Sequence, residues 1–367
     1  MDYGIAIAPT AAAGDVAARA EALGFSHIWF YDTQMLCHDI LVAMTAAALK
    51  TSRIKLCAGV LVPSNRLAAV AANALASLNA LAPGRVIAGL GTGYTARRTM
   101  GLPAQKLDDI REYARVMRAL WRGEMVETAI EGNAHKIQFM HPPHMVGVFV
   151  NTADVIPVHL SAFGPKGRQL VVAIADGFIN PWTSPAALHD ARSMRAACAA
   201  AGRDPAALYT TSLNMGCVLA SGEAYDSPRA RAQAGPWPAI YWHWLVEDGD
   251  RANVPPDLQP VIDAYHEIYA RYAPADARYL ALHAGHLMYL RPEEQQFVTG
   301  AMLQALTLTG SPDEIRARVH ALDTAGYDQV AVQLVPGQEA AIEDWAQVFL
   351  SPSGSPQAAG DNANSAQ

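Results

Sequence analysis

The chain has 367 residues, 51% of them hydrophobic and 17% charged, with a formal net charge of −7 and a pI near 5.9. That is ample material for a large buried core and excludes a disordered chain. The acidic balance argues against nucleic acid or an anionic membrane as partner, because both select a basic face. Cys37, Cys57, Cys198 and Cys217 form no CxxC pair, so neither a disulfide framework nor a cysteine metal site is expected, and a reducing cytoplasm fits. The start, MDYGIAIAP, lacks the pattern of a signal peptide. No uninterrupted apolar run reaches the roughly 18 residues that a membrane span needs.

Short apolar runs alternate with helix-like segments from the first residue onward. The runs at 4–8, 26–31, 54–62, 85–91, 156–162, 176–180, 209–219 and 327–335 predict eight strands. Alanine-rich or amphipathic segments at 13–23, 39–50, 67–81, 106–121, 165–175, 185–200 and 312–325 predict the intervening helices. The stretch 122–150 is a polar excursion, and HPPH within it, with His141 and His144, reads as a surface turn. Residues 222–305 are too long for one crossover and predict an insertion of several helices between the seventh and eighth strands. Residues 351–367, SPSGSPQAAGDNANSAQ, are small and polar and predict a disordered tail after a 1–350 domain.

LGFSHIWF at 23–30 and AGYDQVAV at 325–332 repeat one pattern: a helix end, glycine, an aromatic residue, then a strand. Repeated joints of this kind are what a parallel βα array needs. No GxGxxG follows the first strand, which disfavours a doubly wound sheet. The expected architecture is an α/β (β/α)8 TIM barrel with its site at the C-terminal ends of the strands.

Functional residues should therefore stand just after the strands. Asp32 follows the second strand and is placed to act as acid or base, or to cap a helix. GLGTGY at 89–94 follows the fourth and lets the backbone approach a planar or phosphorylated ligand. In SAFGPKGRQL, at 161–170, Gly164 and Pro165 start a helix beside Ser161, Lys166 and Arg168. Free N–H groups there, with two cations, form an anion site. His283 and His286 in YLALHAGHLMYL have metal-ligand spacing but no apparent third ligand, so packing is the favoured reading and no metal is expected. PWPAIYWHWL at 236–245 reads as core, although a lid over a planar ligand would look the same. In that case Tyr241, His243 and His283 would be the groups facing substrate.

EALGFSHIWFYD, IKLCAGVLVPSNR, PGRVIAGLGTGY, LDDIREYARVMRALWRGE, PVHLSAFGPKGRQLVVAIADGFI and TGSPDEIRARVHALDTAGYDQVAVQLVPG occur in this order. Together they resemble the luciferase-like monooxygenase superfamily, in particular its methylenetetrahydromethanopterin-reductase-like branch. The resemblance implies a (β/α)8 barrel that holds a flavin or deazaflavin ring at its mouth. It implies a phosphate loop at Ser161, Gly164, Pro165 and Lys166, and a wall for the ribityl chain at Thr92, Gly93 and Tyr94. It further implies a non-proline cis peptide around Ala58, Gly59 and Val60, behind the ring. Two departures stand out. Many members carry a histidine after the acid of the second strand, whereas here Thr33 and Gln34 follow Asp32. His38, a turn further on, is the imidazole that could substitute. Deazaflavin-dependent sugar dehydrogenases carry a glutamate where this chain has Tyr94, which puts sugar oxidation in doubt.

On this resemblance the leading expectation is a flavin-dependent monooxygenase, in which reduced FMN from a partner flavin reductase and O₂ oxygenate a small organic substrate. The alternative is a deazaflavin (coenzyme F420)-dependent oxidoreductase moving a hydride. A non-catalytic flavin-binding barrel is the third reading. A homodimer is expected by the same resemblance.

Overall fold

The structure is a computed structural model and describes residues 1–181, 185–249, 254 and 256–351. Among the described residues the strands are, in chain order, β1 (Asp2–Ile7), β2 (His27–Phe30), β3 (Lys55–Leu61), β4 (Val86–Leu90), β5 (Val126–Ile130), β6 (Asn133–Ile137), β7 (Val158–Ser161), β8 (Gly177–Pro181), β9 (Tyr209–Asn214) and β10 (Gln329–Leu334). Eight of them close a parallel barrel in the order β1-β10-β9-β8-β7-β4-β3-β2. The eight apolar runs of the sequence are these eight strands. The seventh run is shorter than expected: β9 ends at Asn214, and the chain beyond it bonds instead to 308–310, with Leu308 N donating to Met215 O.

The repeated pattern in the sequence has a structural cause. Gly24 and Gly326 both end helices in the left-handed region, at φ 105° and 95°. The next residue, Phe25 or Tyr327, is buried and donates its N–H to the carbonyl of Ala20 or Leu322. Glycine tolerates that φ, and the aromatic ring anchors the turn before the strand begins. The helix at Pro312–Ala325 starts with a capping box in which Ser311 and Glu314 satisfy each other's backbone N–H groups.

Two apolar layers follow. The larger packs the outer face of the strands against the surrounding helices, with Ile28, Phe30, Leu56, Val158 and Val330 at its centre. The smaller fills the barrel's interior with Ala6, Trp29, Cys57, Ile87, Ile179 and Ala331. Trp29 donates its indole N–H to Gln329 Oε1 at 3.0 Å, so the buried ring leaves no orphan donor.

The excursion at 122–150 is more ordered than its composition suggested. β5 and β6 pair antiparallel across Glu131 and Gly132, whose positive φ values of 52° and 82° make a tight two-residue hairpin. His141 stacks on Phe149 and His144 is exposed, in keeping with a surface turn. The 222–305 insertion is helical, with helices at Pro228–Ala234, Pro236–Glu247, Gln259–Ala270, Arg278–Leu282 and Gly300–Leu306. It carries its own core, built on Trp242, Leu245, Ile262, Tyr265, Leu282 and Phe297. The expected tail falls outside the described residues, apart from Ser351. No helix among the described residues is long and apolar enough to cross a membrane.

Candidate functional site

The C-terminal ends of the strands and the insertion enclose a cavity. Gly59, Val60 and Val62 from β3 and its exit line it, as do Gly91, Thr92, Gly93 and Tyr94 after β4, and Ser161 and Phe163 after β7. The insertion closes the far side with Trp237, His286, Leu287 and Met288. A non-proline cis peptide joins Gly59 and Val60, inside the stretch where one was expected. β3 shifts register between Ala58 and Leu61, so its backbone crowds β4 at this level. Only glycine fits opposite: a Cβ on Gly91 would lie 2.5 Å from Val60 Cγ2, and one on Gly93 2.4 Å from Val62 Cγ1. Gly93 also has φ 72°. These glycines bring bare backbone to the cavity wall, which suits a flat ligand.

The predicted phosphate loop lies beside this cavity. Ser161 lines it, while Gly164, Pro165 and Lys166 are exposed at the start of the helix Pro165–Ile174. A Cβ on Gly164 would meet nothing within 4 Å, so the helix N-terminus opens onto free space. Lys166 makes no ion pair among the described residues. Arg168 does not serve as the second cation: both its terminal nitrogens bind Asp190, at 2.5 and 2.8 Å. The loop could hold a phosphate through backbone N–H groups, Ser161 and one lysine.

The residues proposed for acid–base chemistry need correction. Asp32 is buried at the cavity edge, but its oxygens are occupied: Arg66 Nη1 donates to both at 2.9 Å, Asn65 Nδ2 at 3.1 Å and Val62 N at 3.2 Å. Arg66 also reaches Asp39, which caps the helix Ile40–Lys50. Asp32 therefore latches the β2 exit to the β3 exit. Gln34, in the place of the family histidine, donates to Ala96 O at 2.6 Å and accepts from Asn65. His38 is exposed and does not line the cavity; it faces an adjoining surface groove with Met35 and Arg66. It therefore does not replace the missing imidazole. Tyr241 is 36% exposed and also lies off the cavity, whereas Trp237, four residues earlier, lines it.

The reading of His283 and His286 as a pair without a third ligand is overturned. His243 arrives from the helix Pro236–Glu247, and its Nδ1 lies 3.0 Å from His286 Nδ1, which is 3.3 Å from His283 Nδ1. All three rings are buried. Their far nitrogens are anchored: His243 Nε2 pairs with Glu294 Oε1 at 2.6 Å, and His283 Nε2 with both oxygens of Glu247 at 3.1 Å. Burial lowers the pKa of His243 against the pull of Glu294, and burial with two imidazole neighbours lowers that of His286 well below its usual value. Against its own burial, Glu294 is held at about 2 by hydrogen bonds from His243 and Arg291. Burial, reinforced by Glu247, keeps the Tyr94 phenol protonated. His286 lines the cavity, and both of its ring contacts to His243 and His283 run through Nδ1. The sequence showed the i, i+3 pair but not His243, which is 43 residues from His286.

A closed (β/α)8 barrel with a glycine-lined cavity at its strand ends and an open helix N-terminus beside it is the frame of an enzyme active site. The luciferase-like monooxygenase family model matches residues 3–329, and the chain belongs to that family, an oxidoreductase class. It is 27% identical to 5,10-methylenetetrahydromethanopterin reductase of Methanolobus tindarius over 94% of this chain and 98% of that one. It is 32% identical to the F420-dependent glucose-6-phosphate dehydrogenase of Nakamurella multipartita, over 45% of this chain and 50% of that one. The coenzyme F420-dependent tetrahydromethanopterin reductase of Methanopyrus kandleri has the same fold, with a TM-score of 0.65 at 21% identity, covering 94% of this chain and 97% of that one.

Proposed function

We propose that this chain is a deazaflavin-dependent oxidoreductase, which moves a hydride between coenzyme F420 and a small uncharged organic substrate. This reverses the order of the two leading expectations. The observation that carries it is the kind of relative matched in sequence: a methylenetetrahydromethanopterin reductase over nearly the whole chain and F420-dependent dehydrogenases over about half of it. The cavity is compatible with that reading. Bound there, the deazaflavin would supply or accept the hydride. Gly59 and Val60 would back its ring, Thr92 to Tyr94 would flank its side chain, and Ser161 with Lys166 would hold its phosphate.

The substrate side is aromatic and aliphatic, with Phe163, Trp237, Leu213 and Met288, so among the described residues a phosphorylated sugar finds no second cation there. His286, which lines the cavity, would hydrogen-bond the reacting oxygen or nitrogen of the substrate and orient the reacting carbon. Asp32, held by Arg66, would serve the cavity wall rather than the proton transfer.

Anaerobic titration of the purified chain with reduced F420 and, separately, with reduced FMN tests the reading. Selective binding of the deazaflavin, unchanged on admitting O₂, is expected. Selective FMN binding with O₂-dependent product formation would return the assignment to a monooxygenase served by a partner flavin reductase. Replacing Ser161 and Lys166 together by alanine is expected to weaken cofactor binding roughly 10- to 100-fold, since a hydrogen bond to a charged group contributes about 1.5–3 kcal/mol. Unchanged affinity in the double variant would remove the phosphate from this loop.

A further inference from the structure

We propose that His243, His283 and His286 form a three-imidazole site for a divalent transition metal ion of the zinc class, bound through Nδ1 of each ring. The assignment does not rest on the cofactor reading above.

Proton bookkeeping leads to it. A neutral imidazole carries one proton, and in His243 and His283 that proton lies on Nε2, where Glu294 and Glu247 accept it. Both Nδ1 atoms are then lone pairs, and both point at His286 Nδ1, at 3.0 and 3.3 Å. His286 Nδ1 can donate one proton to one of them, which leaves the other contact lone pair against lone pair. A metal ion resolves the conflict, because three converging lone pairs are what it requires.

The dimensions agree. Donor atoms about 2.0–2.1 Å from a tetrahedral ion are separated by roughly 3.3–3.4 Å along each edge. The three donor atoms lie within 4.8 Å of one another, with two separations already at 3.0 and 3.3 Å. The carboxylates on the outer nitrogens are the usual second layer of a metal-bound histidine, fixing the tautomer and raising ligand basicity. Glu247 is suited to this, because Arg98 is 3.9 Å from it and makes its close contact with Asp248 instead. Glu294, in contrast, is balanced by Arg291 at 2.5 Å.

The backbone around the third ligand is held in a rarely populated conformation. Leu287 has φ 62° without being glycine, and its carbonyl accepts from Gln333 Nε2 on β10 at 2.7 Å. This bond ties the His286 turn to the barrel. The ion would therefore join the helix Pro236–Glu247 to the 283–286 turn at the cavity wall, and imidazole donors select zinc-class ions over calcium or magnesium.

The test uses the full-length chain without an affinity tag, stripped with chelator and titrated with Co²⁺ as the visible probe. One equivalent bound per chain, with the intense ligand-field absorption of a four-coordinate ion and displacement by Zn²⁺, is the expected result. Glu247→Gln should fold normally and weaken binding 10- to 100-fold. His243→Ala with His286→Ala should abolish the absorption. Absence of the four-coordinate spectrum in the unmodified chain overturns the proposal, as does its persistence in the double variant. If that variant does not fold, unaltered affinity in Glu247→Gln overturns the proposal by itself.

Discussion

Replacing Gly89 by alanine is expected to cost about 3 kcal/mol of stability or more, at the upper end of what overpacking does. Gly89 lies inside β4, and an alanine Cβ there would stand 2.0 Å from the carbonyl oxygen of Ala58 on β3. The clash is with backbone, so no side-chain rotation relieves it. Ile179 Cδ1, 3.2 Å away, closes the other direction of retreat. The strands would have to separate where β3 shifts register, directly beneath Gly59 and Val60 of the cavity wall. Denaturant unfolding of the purified variant measures the loss, and ligand affinity should fall with it. Gly147→Ala is the control, since its Cβ would meet nothing within 4 Å. It should change stability by less than about 0.5 kcal/mol. Equal stability of the two variants would mean that β3 and β4 are not apposed in this way.

The strands of the barrel were readable because each is a short apolar run bounded by turn residues, and because a buried parallel sheet has no polar face to blur the pattern. The two glycine–aromatic joints even marked where helices end. The β5–β6 hairpin was not readable, since VETAIEGNAHKI is largely exposed and too polar to stand out as strand. Its signal was Glu131-Gly132, a two-residue turn that periodicity alone does not register. Within the site, the loops after β4 and β7 were legible for local reasons: glycines, a proline and a lysine at strand ends. What was not legible depended on distant contacts. Asp32 looked like an acid awaiting a substrate until Arg66, 34 residues on, was seen to bind it. His243 was read as a group facing substrate from an aromatic lid, not as a partner of the 283–286 turn that folds against it. Insertions of this length bring together residues whose spacing carries no information about their proximity.

Removing the Asp32 carboxylate, as Asp32→Ala, is expected to lower stability by about 3 kcal/mol, because the largely buried Arg66 guanidinium would lose the closer-shielded of its two carboxylates. The pair is well shielded: the side chains are 3% and 16% exposed. Arg66 keeps a second carboxylate, Asp39, which is nearly half exposed, so the loss should stay at the low end of that for a fully buried pair. Arg66→Ala should destabilise to a similar extent, and the double variant should lose less than the sum, with a coupling of about 1–3 kcal/mol. A residue serving as acid or base would behave otherwise: its replacement would leave stability nearly intact and lower kcat, with no coupling to Arg66. Both properties can be measured on the same three variants. The distinction decides whether proton transfer at this cavity has any source on the β2 side. If the cycle shows strong coupling, Asp32 maintains the β2–β3 wall against which a ring would lie. The imidazole lining the cavity among the described residues is His286, on the insertion side.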